Sequence, residues 1–445
     1  MEAYSSSTTM EQTGQPAQPT PTAPGARAWT ALAVLCGIYI LNFLSRQLPA
    51  ILAKPIEEDL HISDGQLGLI GGFYFALFYC CISIPVGWLA DKTNRVRILA
   101  AACAIWSVAT MCCGLATGYL EFAFAYMTVG FGEAGGVPPS YSILSDYFPT
   151  GRRGTALGIY NLGPGVGAAL GIAFGASIAS VFNRRYAFLF LGGVGVFAAI
   201  GILLSVREPQ RGGLDPIPDQ AATAKSGFQQ TFTMFFSRPP LILAALGSGA
   251  TQLITYGLGN FTVLFLMREK GMVLTQIAAY YSWVVFIGMS GSMLVSGRLI
   301  DRFTRRSRQA YGLIPAVSLV IAIPLYLAFV RTASWRVALL FLAGTMFLNY
   351  FYLSSAVTLV QEEVRPDQRV MSGALLLLVM NFIGLGLGPT FVGAASDFFH
   401  KNHPVHSLQL ALYALVPFYV VAICLFLTLA AVLRRENGIA RGEAR

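Results

Sequence analysis

Charge is scarce in this chain. Of its 445 residues only 11% are Asp, Glu, Lys or Arg, 55% are hydrophobic, and the mean hydropathy is +0.62. Soluble domains carry roughly 25% charged residues, so a surface solvated by water on all sides is excluded. Histidine is rarer still, at four residues. Three of them (His400, His403 and His406) share one short stretch, but Pro404 breaks any helix there, and no metal site is expected. The seven cysteines (Cys36, Cys80, Cys81, Cys103, Cys112, Cys113 and Cys424) all fall in apolar stretches, without disulfide or metal spacing. No Gly-x-x-x-x-Gly-Lys loop is present to cradle nucleotide phosphates. No His, Asp or Glu cluster lies inside an apolar stretch, as an intramembrane enzyme would need. Neither a cofactor nor a catalytic centre is expected.

Long apolar runs fill most of the chain. About 20 residues are needed to cross a hydrocarbon layer roughly 30 Å thick. Twelve runs qualify: 29–53, 66–90, 96–117, 120–143, 154–181, 186–206, 239–267, 275–300, 309–330, 335–360, 369–399 and 406–433. Each is expected to be helical, because a lone strand in lipid leaves its backbone unpaired. Glycine inside them, as at 163–175 and 384–393, permits close packing of helices in a membrane. Residues 1–27 are mostly Ser, Thr, Gln, Pro and Ala and are expected to be disordered. No basic segment with a short apolar core marks a cleavable leader, so the first apolar run is expected to be the first span.

Basic residues then orient the spans. The connections on one side hold 21 of the 30 Lys and Arg, the opposite connections hold eight, and Arg46 lies within a span. The positive-inside rule places the richer side, both termini and the 207–238 linker in the cytoplasm. The net charge of +9 is thereby spent on short loops facing anionic lipid, and nucleic acid is not an expected partner. The expected organisation is a tail (1–27), a helical unit (28–206), a linker (207–238), a second helical unit (239–433) and a tail (434–445). The inner, or plasma, membrane is the expected location and a monomer the expected state.

The chain repeats itself. Gly87-Trp88-Leu89-Ala90-Asp91-Lys92 with Arg95 returns 210 residues later as Gly297-Arg298-Leu299-Ile300-Asp301-Arg302 with Arg305. Asp146 lies seven residues before Arg153, and Glu362 seven before Arg369. The repeated loop resembles the G-x-L-a-D-r-x-G-r-k motif of the major facilitator superfamily, with Asn94 and Thr304 where the family usually has Gly. That resemblance implies an all-α membrane protein of twelve transmembrane helices, in two six-helix bundles related by pseudo-two-fold symmetry, working by alternating access. It also implies a cytoplasmic gating latch built from Gly87, Asp91, Arg95, Asp146, Arg153, Gly297, Asp301, Arg305, Glu362 and Arg369. Asp91 and Asp301 would cap facing helices, where the helix dipole favours an anion. Arg95 and Arg305 would pair with Asp146 and Glu362. The plainer reading of the same charges is positive-inside decoration.

A narrower resemblance covers 40–210. Asn42-Phe43-Leu44-Ser45-Arg46, Gly132-Glu133-Ala134, Asp146-Tyr147-Phe148-Pro149 with Arg152 and Arg153, and Arg207-Glu208-Pro209 resemble the Spinster family. Its members export lysolipids, several with proton coupling, so a lysophospholipid or sphingoid-phosphate substrate is implied. Two positions depart. Ser45 replaces the usual Asp, and Tyr126 replaces an Arg seven residues before Glu133. The lost charges are opposite in sign, which removes a pair and leaves no lone charge behind. The Gly163-Pro164-x-x-Gly167 core also resembles an exporter motif, with simple tight packing the alternative reading.

Arg46 and Glu133 remain the charges farthest from any loop. A charge within a span costs about 2.5–3.5 kcal/mol and marks function by default. By rise per residue the two differ in depth by roughly 10 Å, unless a break near Pro49 brings them together. Three outcomes stay open: an anion-binding and proton-coupling pair, a structural pair, or no contact. The second half offers a neutral wall instead, with Tyr256, Asn260, Asn349 and Asn381 the candidate substrate contacts. The expected function is secondary transport of an amphipathic anion, with membrane lipid and protons as partners. A small sugar acid or aromatic acid is the alternative substrate, and a non-transporting sensor of the same fold is the alternative class. If the latch acts as implied, Asp91→Asn with Asp301→Asn will shift the population towards the cytoplasm-open state. Distances between spin labels on the 92–95 and 302–305 loops measure this.

Overall fold

The computed structural model describes residues 25–210, 228–365 and 368–442. Residues 1–24, which hold most of the segment expected to be disordered, lie outside that set, as do most of the 207–238 linker and the last three residues. The described residues form helices joined by short turns, with no strand among them. Among the described residues eleven helices are long and apolar enough to cross a membrane. The stretch expected as the fourth span, 120–143, is the exception. It is built as two helices, Tyr119–Glu133 and Val137–Tyr147, with the break falling on Ala134, Gly135 and Gly136. The first span departs in a similar way: Ala26–Arg46 ends at Gln47, and short helices Leu48–Ile51 and Ala53–Leu60 continue it. Within the expected linker, Phe228–Ser237 is helical, and Val416–Gly442 runs on into the expected tail.

Local chemistry sets the ends. Ser63 and Gln66 form a reciprocal capping box at the start of Asp64–Leu69. Asn94 accepts from the Arg97 amide and starts Arg95–Leu115, so Asn94 has its own function as a helix cap. Asn183 caps Arg184–Ser205 through the amides of Arg185 and Tyr186.

Small residues set the packing within each half of the chain. Gly171 lies against the Leu44 carbonyl, joining Gly163–Val181 to Ala26–Arg46. Gly192 and Gly195 seat Arg184–Ser205 on Ser107 and Met111 of Arg95–Leu115. In the second half Gly312 meets the Phe426 carbonyl and Ala430. Where tails and apolar side chains compete equally, such close backbone approach is what holds helices together.

The two halves meet chiefly at one end, opposite the arginine-rich turns. There Asp64–Leu69 and the π-helical turn Ile70–Tyr74 pack on Phe382–Leu387 and Gly388–His400. Gly163–Val181 packs on the helical turns between 274 and 286. At the arginine-rich end Val137–Tyr147, Thr150–Tyr160, Ser292–Thr304 and Phe351–Glu363 pack mainly within their own halves. The four π-helical turns among the described residues (Ile70–Tyr74, Ile277–Tyr281, Ile287–Gly291 and Phe382–Leu387) interrupt helices that touch the opposite half. Turns of this kind are frequent at functional sites.

The seam depends on missing side chains. A Cβ on Gly68 would meet the Pro389 carbonyl, and one on Gly393 would meet the Asp64 carbonyl, backbone that cannot step aside. Gly393→Val is therefore expected to splay this end, at an overpacking cost of roughly 1–3 kcal/mol. Spin labels at Glu58 and Asn402, both exposed, will report longer distances in the variant than in the parent chain.

Candidate functional site

Both buried charges stand where their helices stop. Arg46 is the last residue of Ala26–Arg46, and Glu133 the last of Tyr119–Glu133. The expected difference in depth does not keep them apart: Arg46 Nε lies 3.2 Å from Glu133 Oε2. Their side chains are 11% and 1% exposed. The outcome without contact is thereby removed. Close as the groups are, the geometry is that of an ion pair and not of a hydrogen bond. Arg46 Nε and Nη2 and both Glu133 oxygens are buried without a hydrogen-bond partner among the described residues. A buried guanidinium in that condition has unused donors facing an interior that contains its counter-ion.

Aromatic rings surround the guanidinium. Its carbon lies 4.7 Å from the Phe75 ring centroid, 5.1 Å from Tyr79 and 5.3 Å from Phe43, within the range of cation–π attraction. These three residues were not among those singled out from sequence. A signal existed: Phe75 and Tyr79 are one helical turn apart and share a face, and Phe43 lies three residues before Arg46.

The expected contacts divide into those that reach this pair and those that do not. The Tyr126 hydroxyl donates to the Arg46 carbonyl at 3.4 Å, so the residue standing in place of an arginine now closes the broken helix end. Ser45 is buried and gives its hydroxyl to the Asn42 carbonyl at 2.9 Å. Asn42 lies beside the Glu133 carboxylate, with its Nδ2 lacking a well-formed bond. From the second half, Tyr256 lies within electrostatic reach of Arg46. Asn260 donates to the Tyr256 carbonyl at 3.0 Å and lines a narrow space with Pro49, Ala50, Leu67, Gly71 and Phe261. Asn381 is engaged by Gln252 at 2.9 Å, and Asn349 by Tyr419 at 2.9 Å. Asn349 is thus committed to a buried bond between helices of its own half.

At the arginine-rich end the first copy of the repeat forms a dense cluster. Arg95 is buried and donates to Asp146 at 2.5 Å, Glu208 at 2.6 Å, Ser142 at 2.7 Å and the Pro209 carbonyl at 3.1 Å. The second copy differs from expectation. Arg305 is exposed, and the carboxylate engaged on Phe351–Glu363 is Glu363, which pairs with Arg308 and with Arg238. One residue of helix turns a side chain by about 100°, so Glu363 reaches Arg308 while the more exposed Glu362 lies towards Tyr311. Arg369 donates to the Gln361 carbonyl at 3.0 Å. Asp301 is exposed and lies with Arg298, Arg302, Arg305 and Arg306 around an open depression. A Cβ on Gly87 or Gly297 would touch nothing, so the close approach these glycines permit is not made in this conformation. Arg153 is half-buried, and the Asp91 side chain lies outside the described set.

The opposite end holds a charge cluster that joins the halves and that loop charges alone did not suggest. Arg268 donates to Glu57 at 2.7 Å and to both oxygens of Asp64, at 2.8 and 2.9 Å. Ser396 donates to Asp64 at 2.5 Å, while Asp397 accepts from Ser63 at 2.7 Å and from the Gly65 amide at 3.0 Å. Burial, followed by the neighbouring Asp64, pushes the Glu57 carboxyl up to about 9 against the opposing pull of Arg268.

Comparison with known proteins agrees with this geometry. Residues 35–389 match the Major Facilitator Superfamily profile. An MFS-type efflux pump of Mycolicibacterium smegmatis is 30% identical over 408 residues, covering 91% of this chain and 93% of that protein. Protein spinster homolog 1 of Xenopus tropicalis is 26% identical over 392 residues, covering 84% of this chain and 74% of that one. The crystal structure of a bacterial homolog to the human lysosomal transporter Spinster, inward-facing and unoccupied, superposes with a TM-score of 0.86 at 29% identity. It covers 93% of this chain and 99% of its own. The chain belongs to the major facilitator superfamily and is a Spinster-like, multi-pass membrane transport protein.

Proposed function

We propose that this protein is a secondary transporter of amphipathic anions of the lysophospholipid or sphingoid-phosphate class, working by alternating access between two six-helix bundles. In this reading the arginine-rich end is cytoplasmic, the Arg268 end is outside, and the closed Arg268 end makes the conformation inward-facing. The observation that carries the reading is Arg46. A guanidinium with two unsatisfied nitrogens, ringed by aromatics at the meeting of the halves, is a ready receptor for an anionic headgroup. The neutral groups of the second half, Tyr256 first among them, suit the uncharged part of the same ligand. A small organic acid is the second reading, favoured by the guanidinium's 11% exposure, which leaves a narrow approach.

Glu133 supplies the coupling. While Arg46 pairs with Glu133, the carboxylate has its counter-ion. A substrate anion that occupies Arg46 takes that counter-ion away and leaves Glu133 buried and alone, a state relieved by a proton. Substrate and proton are then bound together and travel together, so the coupling is symport. The residue that in relatives would offer a second carboxylate is Ser45, whose hydroxyl is already bonded.

Three outcomes follow. Arg46→Ala is expected to abolish transport, and Arg46→Lys to restore little, because an ammonium lacks the planar fork of donors. Proteoliposome flux of lysolipid and of small carboxylates, run side by side, identifies the substrate; full flux in a folded Arg46→Ala chain rejects the reading. Glu133→Gln should leave flux that no longer responds to an imposed pH gradient; a response that survives places the coupling elsewhere. Finally, removing one partner of a buried pair costs roughly 3–5 kcal/mol. Glu133→Gln alone should therefore unfold at lower temperature than Glu133→Gln with Arg46→Met, as thermal melting in detergent will show.

A further inference from the structure

The cluster at the outer end stands on the short helices beyond Gln47, apart from the Arg46–Glu133 pair, and joins elements of both halves. Two of its members come from the first half, Glu57 on Ala53–Leu60 and Asp64 at the start of Asp64–Leu69, and Arg268 ends a helix of the second. Asp64 has every reason to stay ionised. Arg268 holds both its oxygens, Ser396 donates a hydroxyl, and it stands in the first turn of a capped helix, where the dipole favours an anion. Glu57 is placed differently. One oxygen meets Arg268, while Oε1 is buried with no donor. That carboxyl lies against Asp64 at hydrogen-bonding range. Two ionised carboxylates only accept, so they can share a hydrogen bond only if one of them carries a proton.

We propose that Glu57, Asp64 and Arg268 form a proton-binding site in the outer gate, in which a single proton held between the two carboxyls favours closure. The site is separate from the Glu133 coupling site, and it rests on the alternating-access reading but not on the identity of the substrate.

The charges around the site leave Glu57 as its titrating group. On the same helix Lys54 pairs with Glu58, and Asp59 is held by Arg184 and Arg185. Asp397 has the Ser63 hydroxyl and the Gly65 amide. Beyond Arg268, Glu269 accepts from the Gln409 amide and lies near His406, and Lys270 donates to the Val330 carbonyl. His61, His400 and Lys401 are exposed on neighbouring turns. With Glu57, Asp64 and Asp397 all ionised against one arginine, the closed gate would hold an excess of negative charge; one proton lowers it.

The sign is fixed by the two states. With the gate closed, burial holds the Glu57 carboxyl up to about 9. With the gate open it meets water and returns to about 4.3. Closure therefore takes up a proton between these limits. The proton's contribution to closure is complete at the acid limit, is lost as pH rises, and is gone above the closed-state value. The closed-to-open ratio changes at most about tenfold per pH unit within the window.

The test uses the full chain in lipid nanodiscs without substrate, spin-labelled at Glu58 and Asn402, with the exposed Cys81, Cys112 and Cys424 changed to Ser. Distance distributions are recorded from pH 5 to pH 10. The short-distance population should dominate in acid and give way to longer distances as pH rises. Glu57→Gln, whose amide donates to Asp64 without titrating, should remain closed throughout. A parent chain whose distances ignore pH, or a Glu57→Gln chain that follows pH as the parent does, overturns the proposal. If Glu57→Gln does not assemble, Glu57→Asp draws the carboxyl back from Asp64. The midpoint should then move to lower pH; an unmoved midpoint overturns the proposal equally. Because no substrate is present, failure here is distinguishable from failure of the lysolipid assignment.

Discussion

A charge removed from water must find its partner inside the protein, and replacing that partner by nothing costs several kcal/mol. This chain obeys that requirement at three levels along its length. Arg95 gathers Asp146 and Glu208 at one end, Arg46 meets Glu133 at the middle, and Arg268 gathers Glu57 and Asp64 at the other. Between these levels the helices are held mainly by apolar surface and close glycine contacts, with a few polar bonds such as Gln252–Asn381 and Asn349–Tyr419. The charged contacts therefore fix which helices are neighbours and which end is shut. Only the Arg268 cluster spans the two halves; the Arg95 and Arg46 contacts stay within the first. The first half is thus tied together at two depths, while the second meets it at Arg268, at the glycine seam and where Gly163–Val181 packs on the turns between 274 and 286.

Much of this was legible in the sequence because the lipid restricts the options. Long apolar runs had to be helices, and the repeated Gly-x-Leu-x-Asp loop had to occupy equivalent turns in each half. Arg46 and Glu133 stood out as charges with no loop nearby, and they do meet. Both stand at helix interruptions that the sequence marked only weakly. Gly135 and Gly136 look like any other glycines of a packed span, yet they help end a helix at Glu133, and Pro49 only hinted at the break at Gln47. The pairing of Arg308 with Glu363 in place of Arg305 with Glu362 lay below the resolution of a motif, since adjacent residues on a helix face different ways.

The Arg268 cluster was hidden for another reason. Glu57, Asp64, Arg268, Ser396 and Asp397 come from three separate parts of the chain, each beside a turn where a charged residue is unremarkable. Counting lysine and arginine per loop treats Arg268 as a minority charge on the poorer side and nothing else. Its meaning lies in where the helices end, which depends on how the halves pack.

The interruption at Gln47 has a mechanical consequence. A residue at a helix break is the fulcrum of the segment that follows, and here that segment, Leu48–Leu60, leads to Glu57. From Gln47 to Glu57 the rise is about 15 Å, so a 10° change of bend at the fulcrum swings Glu57 by about 2.6 Å. The Arg268–Glu57 contact is 2.7 Å long, and a displacement of that size would break it. Arg46 is the residue immediately before the fulcrum, and Tyr126 grips its carbonyl. The Arg46 guanidinium thus sits beside the fulcrum of a segment whose far tip carries Glu57 of the Arg268 cluster.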